Sequence, residues 1–230
     1  MSENSYIVFR VDGDAIIGLG HIMRCLTLAD LLNKVGFEIL FLCREASDSI
    51  AGLVKNKNYR FEKIGSSKNI KDDVIQCMRY MEGLKVFMLV VDHYQLDARW
   101  ENMFSKAVNK IMVIDDLANR KHNCDYLLDS SCGRVIADYE YLSSPGCRLL
   151  LSTDYCLLRP DFYKLRNEAV IRRKNTHTIN SVLINFGGGD HKNLSVFTLH
   201  LLNNLQFSAE IHVLISSISE HINELKVLSK

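Results

Sequence analysis

The stretch YIVFRV at residues 6–11, followed by DGDAIIGLGH at residues 12–21, decides the fold of this chain. The first six residues are an apolar run that predicts a buried strand. Beyond residue 21, apolar side chains recur at helical spacing until Gly36, which predicts a helix ending there. Glycines in the intervening loop let the backbone approach a ligand closely, and the start of a helix offers unpaired N–H groups. The stretch therefore predicts a strand, a ligand-binding loop and a helix opening on His21.

The loop ends in G-x-G-H, at Gly18, Gly20 and His21. It is not the dinucleotide fingerprint, because no third glycine follows three residues later. The positive end of a helix dipole disfavours a protonated imidazole, and a neutral imidazole accepts a proton near neutral pH. His21 is therefore a candidate general base, and the alternative is that it only caps the helix.

Composition excludes several classes of function. The 230 residues are 47% apolar, and 28 basic against 27 acidic side chains give a net charge of +1 without a basic block for nucleic acid. The apolar runs are too short to span a bilayer and the N-terminus is polar, so we expect a cytoplasmic protein that binds no membrane.

Seven cysteines without a C-x-x-C pair indicate reduced thiols in a reducing compartment. His122, Cys124 and Cys132 are an alternative zinc site, but they lack the usual ligand pairing. We therefore expect buried thiols, no metal and no cofactor.

Further strands and helices alternate along the chain. Strands are predicted at residues 37–42, 59–64, 86–91, 111–114, 126–128 and 149–151, and helices at 48–54, 73–81, 98–108 and from Pro160 onward. This alternation predicts an open α/β sheet, in which ligands bind beyond the carboxyl ends of the strands.

Three polar clusters follow predicted strands: residues 12–21, DHY at 92–94 and DD at 115–116. Because the carboxyl ends of parallel strands meet at one edge, the clusters should face one crevice. His93 reads as a structural hydrogen-bonding residue. The two aspartates could bind a divalent ion, but one of them more often caps a helix or pairs with a basic residue such as Arg120.

A polar segment at residues 172–178 is the best linker, and it predicts domains at 1–174 and 175–230. The second domain repeats the pattern, with strands at 181–186 and 209–215 and helices at 193–205 and from Ser219. GGGD at 187–190 lies between strand and helix, which favours a phosphate cradle over a simple tight turn. Two strands and two helices cannot easily cover both faces of a sheet, so we expect the second domain to be incomplete.

Several of these motifs together resemble one enzyme family. They are FRVD at 9–12, IGLGHIMRCL at 17–26, DHYQLD at 92–97, IDDLANR at 114–120, YCLLRP at 155–160 and FGGGD at 186–190. In this order they resemble the UDP-2,4-diacetamido-2,4,6-trideoxy-β-L-altropyranose hydrolases of pseudaminic acid biosynthesis, a route that serves flagellin glycosylation. That family is similar in outline to the glycosyltransferase-B fold of the MurG type.

The resemblance implies two Rossmann-like domains, the second incomplete, and inverting hydrolysis of a UDP-sugar at its anomeric carbon, with His21 activating water. It also implies the binding residues. Those for sugar or water are Asp12, Gly18, Gly20, Tyr94 and Asp115, and those for the nucleotide are Gly187, Gly188, Gly189 and Asp190. Two alternatives stay open: a glycosyltransferase of the same architecture and an inactive truncated remnant. The UDP-sugar is the only partner implied, and the oligomeric state is left undetermined.

Overall fold

A computed structural model describes residues 5–13, 18–67, 69–187, 189–205, 208–216 and 219–228. Contacts between Cα atoms divide the chain into two compact units, the first made mainly of residues up to Leu158 and the second mainly of residues from Arg159 onward. The sequence pattern set the boundary after Lys174 instead, and the domain limits of 1–174 and 175–230 stay a prediction.

The first unit contains a seven-stranded, entirely parallel sheet in the order β3-β2-β1-β4-β5-β6-β7. Its strands are β1 (Tyr6–Val11), β2 (Glu38–Cys43), β3 (Arg60–Lys63), β4 (Val86–Asp92), β5 (Lys110–Ile114), β6 (Tyr126–Asp129) and β7 (Arg148–Leu151). The strand order reverses between β1 and β4, the topological switch at which open α/β sheets bind ligands. The predicted α/β class is confirmed.

Four helices connect the early strands: α1 (Gly20–Lys34), α2 (Asp48–Lys55), α3 (Ile70–Met81) and α4 (Ala98–Asn102). Side chains of Ser47, Asn69 and Asp97 cap the last three by accepting backbone N–H groups. The predicted helix at 98–108 is too long. After residue 102 the chain forms turns, which bury Phe104 against Trp100. The N–H of Asn109, just before β5, then donates to the carbonyl of Val86, the first residue of β4.

The core lies on both faces of this sheet because successive strand residues alternate between the faces. Val8 of β1 belongs to the cluster that includes Trp100, whereas Phe9 belongs to the opposite cluster and stacks on Phe41 of β2. Burial on both faces explains why the strands read as continuous apolar runs.

The second unit contains α5 (Pro160–Lys174), β8 (Ser181–Ile184), α6 (Leu194–Asn204), β9 (Glu210–Val213) and α7 (Ile222–Leu228). Pro160 begins α5 as predicted, and this helix is exposed along its whole length. β8 and β9 pair in parallel, as expected for a strand–helix–strand repeat. No helix within the described ranges is long and apolar enough to cross a membrane.

A buried arginine in the first unit forms ion pairs with two aspartates. Arg10 of β1 is fully buried, and it donates to Asp12 at 2.6 Å and to Asp73 of α3 at 2.9 Å. Asp73 also accepts from the indole of Trp100 at 2.8 Å and pairs with Arg44. Two helices are thereby tied to the strand that leads into the predicted ligand loop.

Replacing Asp73 with alanine should lower the free energy of unfolding by about 3–5 kcal/mol, because it leaves buried Arg10 with only one of its two carboxylate partners. Urea titration followed by circular dichroism measures the change. Glu140→Ala, at an exposed position, is the control and should change stability by less than about 0.5 kcal/mol. Equal stability of the two variants would contradict the bracing role of Asp73.

Candidate active site

The three predicted polar clusters meet at the carboxyl edge of the sheet. Asp12 follows β1, Asp92 ends β4 and Asp115 follows β5, and these three strands are neighbours. Hydrogen bonds connect the first cluster to the second and the second to the third. Described residues of all three segments therefore lie together at this edge, and the crevice that they were expected to face stays a prediction.

His21 lies in the first turn of α1 and is 7% exposed. Its Nδ1 is 2.6 Å from Oδ1 of Asp92, which is itself 1% exposed. The edge of the ring meets Tyr94 in a T-shaped contact with centroids 4.7 Å apart. Within the described ranges, no group is hydrogen-bonded to Nε2. The ring is thus held on one side by a carboxylate and on another by an aromatic ring.

Arg24 lies one turn after His21 on the same face of α1. Its Nε and Nη2 donate to the two oxygens of Asp92 at 2.5 and 2.6 Å, and its Nη1 donates to Asp116 at 2.8 Å. These ion pairs outweigh burial and raise the pKa of Arg24 further. The arginine is therefore a permanent cation that joins the end of β4 to the end of β5.

Burial alone would favour a neutral Asp92, but hydrogen bonds from Arg24 and His21 and the charge of Arg24 lower its pKa. An ionised carboxylate only accepts hydrogen bonds, so Nδ1 of His21 carries the proton in this contact. In the neutral tautomer that matches this contact, the other nitrogen, Nε2, carries the lone pair and is the one that can act as a base. In the same way, a buried carboxylate fixes the orientation and tautomer of the imidazole in a catalytic triad.

Asp12 is engaged within the protein. It accepts hydrogen bonds from Arg10, from His93 at 3.0 Å and from the backbone of Arg44 at 2.7 Å. Burial opposes its ionisation, yet the bonds from His93 and Arg10 lower its pKa well below the usual range. Burial also lowers the pKa of His93, against the pull of Asp12. The structural reading of His93 fits this geometry.

Asp115 is also enclosed, being 1% exposed. It accepts from Arg120 at 2.8 Å, from the backbone of Ala118 at 2.9 Å and from the hydroxyl of Tyr139 at 2.9 Å. The pairing with Arg120 is one of the two alternatives that the sequence left open. Its carboxylate shapes the loop after β5.

Tyr94 is 46% exposed, in contrast to the buried Asp12 and Asp115. Its hydroxyl donates to Asp116 at 3.3 Å, and burial together with Asp116 raises its pKa, so the phenol stays protonated. Sequence reasoning named Tyr94 but missed Arg24 and Asp116 as site residues and Asp92 as the partner of His21. The position of Arg24 three residues after His21 was the available signal.

Two glycines of the first loop, Gly18 and Gly20, lie within the described residues. Gly18 has φ +88°, a conformation that favours glycine, and Gly20 is the first residue of α1. Residues 14–17 lie outside the described residues. The roles of Gly18 and Gly20 toward a substrate stay a prediction.

In the second unit, the predicted phosphate cradle follows β8. Gly187 has φ +85°, Gly188 lies outside the described residues, and the carbonyl of Gly189 accepts from Ser219 at 2.9 Å. Asp190 accepts from the backbone N–H groups of residues 194 and 195 at 2.9 and 2.8 Å, so its carboxylate caps α6. These bonds outweigh burial and lower the pKa of Asp190. Two N–H donors at the helix start are thus already used.

Possible metal ligands do not converge. Across the described ranges, no group of three or more His, Cys, Asp or Glu side chains could hold a metal ion. His122 is fully enclosed and pairs with Glu101 at 2.7 Å, and Cys124 contacts Cys147 instead.

Comparison with known proteins agrees with the resemblance carried by the motifs. The chain is 28% identical over 225 residues to UDP-2,4-diacetamido-2,4,6-trideoxy-beta-L-altropyranose hydrolase of Campylobacter jejuni, covering 97% of this chain and 74% of that protein. It is 27% identical over 228 residues to an uncharacterized protein of Methanocaldococcus jannaschii, of which it spans only 45%. No protein-family model matches the chain.

Two solved structures share the fold. A glycosyltransferase from Rickettsia africae superposes with a TM-score of 0.56 at 13% identity, covering 96% of this chain and 70% of that one. MurG of Acinetobacter baumannii gives a TM-score of 0.50 at 12% identity, covering 96% and 68%. The fold is therefore α/β of the glycosyltransferase-B type, as the resemblance implied.

Acid should destabilise the protein through this site. The pKa values of Asp12 and Asp92 lie below 3.8 in the folded chain, so below about pH 4 the unfolded chain binds protons first. Their contribution is complete above that pH and is lost as pH falls through the folded pKa values, at about 1.4 kcal/mol per pH unit for each carboxylate. Urea unfolding at pH 5, 4 and 3 measures the slope. In Asp92→Asn, which lacks one titrating carboxylate, the slope of the unfolding free energy against pH should be shallower by up to about 1.4 kcal/mol per pH unit. An unchanged slope would contradict the assignment.

Proposed function

We propose that this chain is a hydrolase that cleaves the glycosidic C–O bond of a UDP-linked 2,4-diacetamido-2,4,6-trideoxy sugar, releasing UDP and the free sugar with inversion. The observation that carries the proposal is the pairing of His21 with buried Asp92 at the topological switch of the sheet. The named Campylobacter relative, which hydrolyses such a UDP-sugar, supports the choice of substrate. The glycosyltransferase-B type of fold is consistent with a nucleotide-sugar substrate.

In this proposal His21 activates water. Nε2 removes a proton from a water molecule whose oxygen attacks the anomeric carbon, and the bond from that carbon to the UDP oxygen breaks on the opposite side. The imidazolium that forms is stabilised by Asp92, which is ionised before the reaction begins. General base catalysis of this kind supplies about 10²- to 10⁴-fold in rate.

Arg24 has a separate task. A buried carboxylate without a partner would take up a proton rather than stay ionised. By binding both oxygens of Asp92, Arg24 keeps that charge in place and fixes the plane of the carboxylate that orients His21. Its third contact, to Asp116, holds the loop after β5 at the same time.

The sugar is placed against the accessible groups beside His21. Tyr94 is half-exposed and in contact with the imidazole, so its aromatic ring packs against the sugar beside His21. Asp12 and Asp115 have their oxygens committed to protein donors, so they act by holding the ends of β1 and β5. Gly18 and Gly20 let the loop backbone approach the substrate.

The nucleotide is assigned to the second unit. The glycine loop at residues 187–189 holds the diphosphate near the positive end of α6, and Asp190 maintains the start of that helix by accepting its first N–H groups. A diphosphate leaving group spreads its own negative charge, so the reaction needs no strong acid to protonate it. A metal ion is not part of the proposal.

Hydrolysis in water enriched in oxygen-18 tests the reaction type. Incubation of the full chain with the UDP-sugar should release UDP without label and free sugar carrying one labelled oxygen, because water attacks carbon. Mass spectrometry of both products measures the outcome. Label in UDP would contradict C–O cleavage, transfer to an added sugar acceptor without hydrolysis would establish a glycosyltransferase, and absence of any turnover would favour an inactive remnant.

Substitution of the base tests the mechanism. His21→Ala should lower kcat by about 10²- to 10⁴-fold, while the affinity for UDP measured by calorimetry stays nearly unchanged because the proposed UDP contacts lie in the second unit. Asp92→Asn should also lower kcat, because an amide no longer stabilises the imidazolium. His177→Ala, at an exposed position, is the control. A His21→Ala variant that retains most of its turnover would remove this residue from the role of base.

A further inference from the structure

Two thiols approach each other at the edge of the sheet opposite the candidate active site. The Sγ atoms of Cys124 and Cys147 lie 3.6 Å apart. Cys124 precedes β6 and Cys147 precedes β7, so both lie at the amino ends of these strands. Across the described ranges, no other pair of cysteine sulfur atoms is within hydrogen-bond distance.

The two backbone segments are already held beside each other. The hydroxyl of Ser144 accepts from the N–H of Cys124 at 3.2 Å and donates to its carbonyl at 2.8 Å. One residue further along, the N–H of Arg148 donates to the carbonyl of Asp125 at 2.8 Å. These bonds keep the two segments side by side while the sulfurs move from 3.6 Å to the bonding distance of about 2 Å.

The two thiols are not equivalent. Cys124 is 6% exposed, whereas Cys147 is half-buried. The hydrogen bond between them lowers the pKa of Cys147 and, together with burial, raises the pKa of Cys124. Either sulfur can donate the S–H in this contact, and the thiolate is the nucleophilic form of cysteine.

A cavity gives small molecules access to one of the two thiols. It has a volume of about 280 Å³ and is lined by Cys124, Ser144, Pro145 and Gly146 among others, and Cys147 is itself only partly buried. The remaining five cysteines offer a contrast. Cys25, Cys43 and Cys77 are buried, Cys132 is exposed, and the partly buried Cys156 contacts the carbonyl of Ser130.

We propose that Cys124 and Cys147 form a reversible dithiol–disulfide site that is oxidised by low-molecular-weight disulfides. The thiolate of one of the two cysteines attacks one sulfur of the small disulfide, which forms a mixed disulfide and expels one small thiolate. The other cysteine, losing its proton to solvent, then attacks the protein sulfur of the mixed disulfide and expels the second small thiolate. Two protein thiols are oxidised to one disulfide while the small disulfide is reduced to two thiols.

Treatment of the full chain with oxidised glutathione tests this site. The number of titratable thiols in the denatured protein should fall from seven to five, and the intact mass should decrease by two hydrogen atoms. Trypsin cleavage after Lys121, Arg134 and Arg148 places the two cysteines in peptides 122–134 and 135–148, which should migrate as one species until a reductant is added.

Because Cys132 shares the first peptide with Cys124, variants identify the bond. Cys132→Ser should still form the linked peptides, whereas Cys124→Ser and Cys147→Ser should each abolish them. Formation of the link in Cys124→Ser through Cys132, or stable glutathione adducts without an internal bond in the native chain, would overturn the proposal. Using both single variants keeps the test decisive if one of them fails to fold.

Discussion

The structure depends on how one buried negative charge is compensated. Asp92 ends the central strand β4 and is almost fully enclosed, where an unpaired carboxylate would be expensive to maintain. Two residues from the first turns of α1 satisfy it: Arg24 by a bidentate ion pair and His21 through Nδ1. The same contacts therefore set the position of α1 against the sheet and the direction in which the imidazole presents its second nitrogen.

A second network of buried charged side chains is formed by Arg10, Asp12 and Asp73. Arg10 crosses from β1 to Asp73 on α3, and Asp12 connects this network to His93 beside the candidate base. Buried ion pairs of this kind contribute little net stability compared with apolar packing, but removing one partner is costly. This cost fixes the side chains at the ends of β1 and β4, and a base needs such a fixed geometry to work.

The two edges of the sheet have different chemistry. The carboxyl edge gathers charged groups whose hydrogen bonds are nearly saturated, with Tyr94 the accessible polar group beside His21. The amino edge before β6 and β7 carries the thiol pair, separated from the candidate base by the length of the strands.

Local pattern in the sequence determined the parallel sheet, the start of α5 at Pro160 and the meeting of the three strand-end clusters, because apolar runs and helix signals act over a few residues. It identified His21 but not its partner, since Asp92 is 71 residues away and only the strand order brings the two together. Tertiary structure also decided that the carboxylates of Asp12 and Asp115 accept hydrogen bonds from arginines and that Asp190 caps α6. A carboxylate that follows a strand has the same sequence pattern whether it faces a ligand or a buried cation. Only packing in three dimensions distinguishes the two.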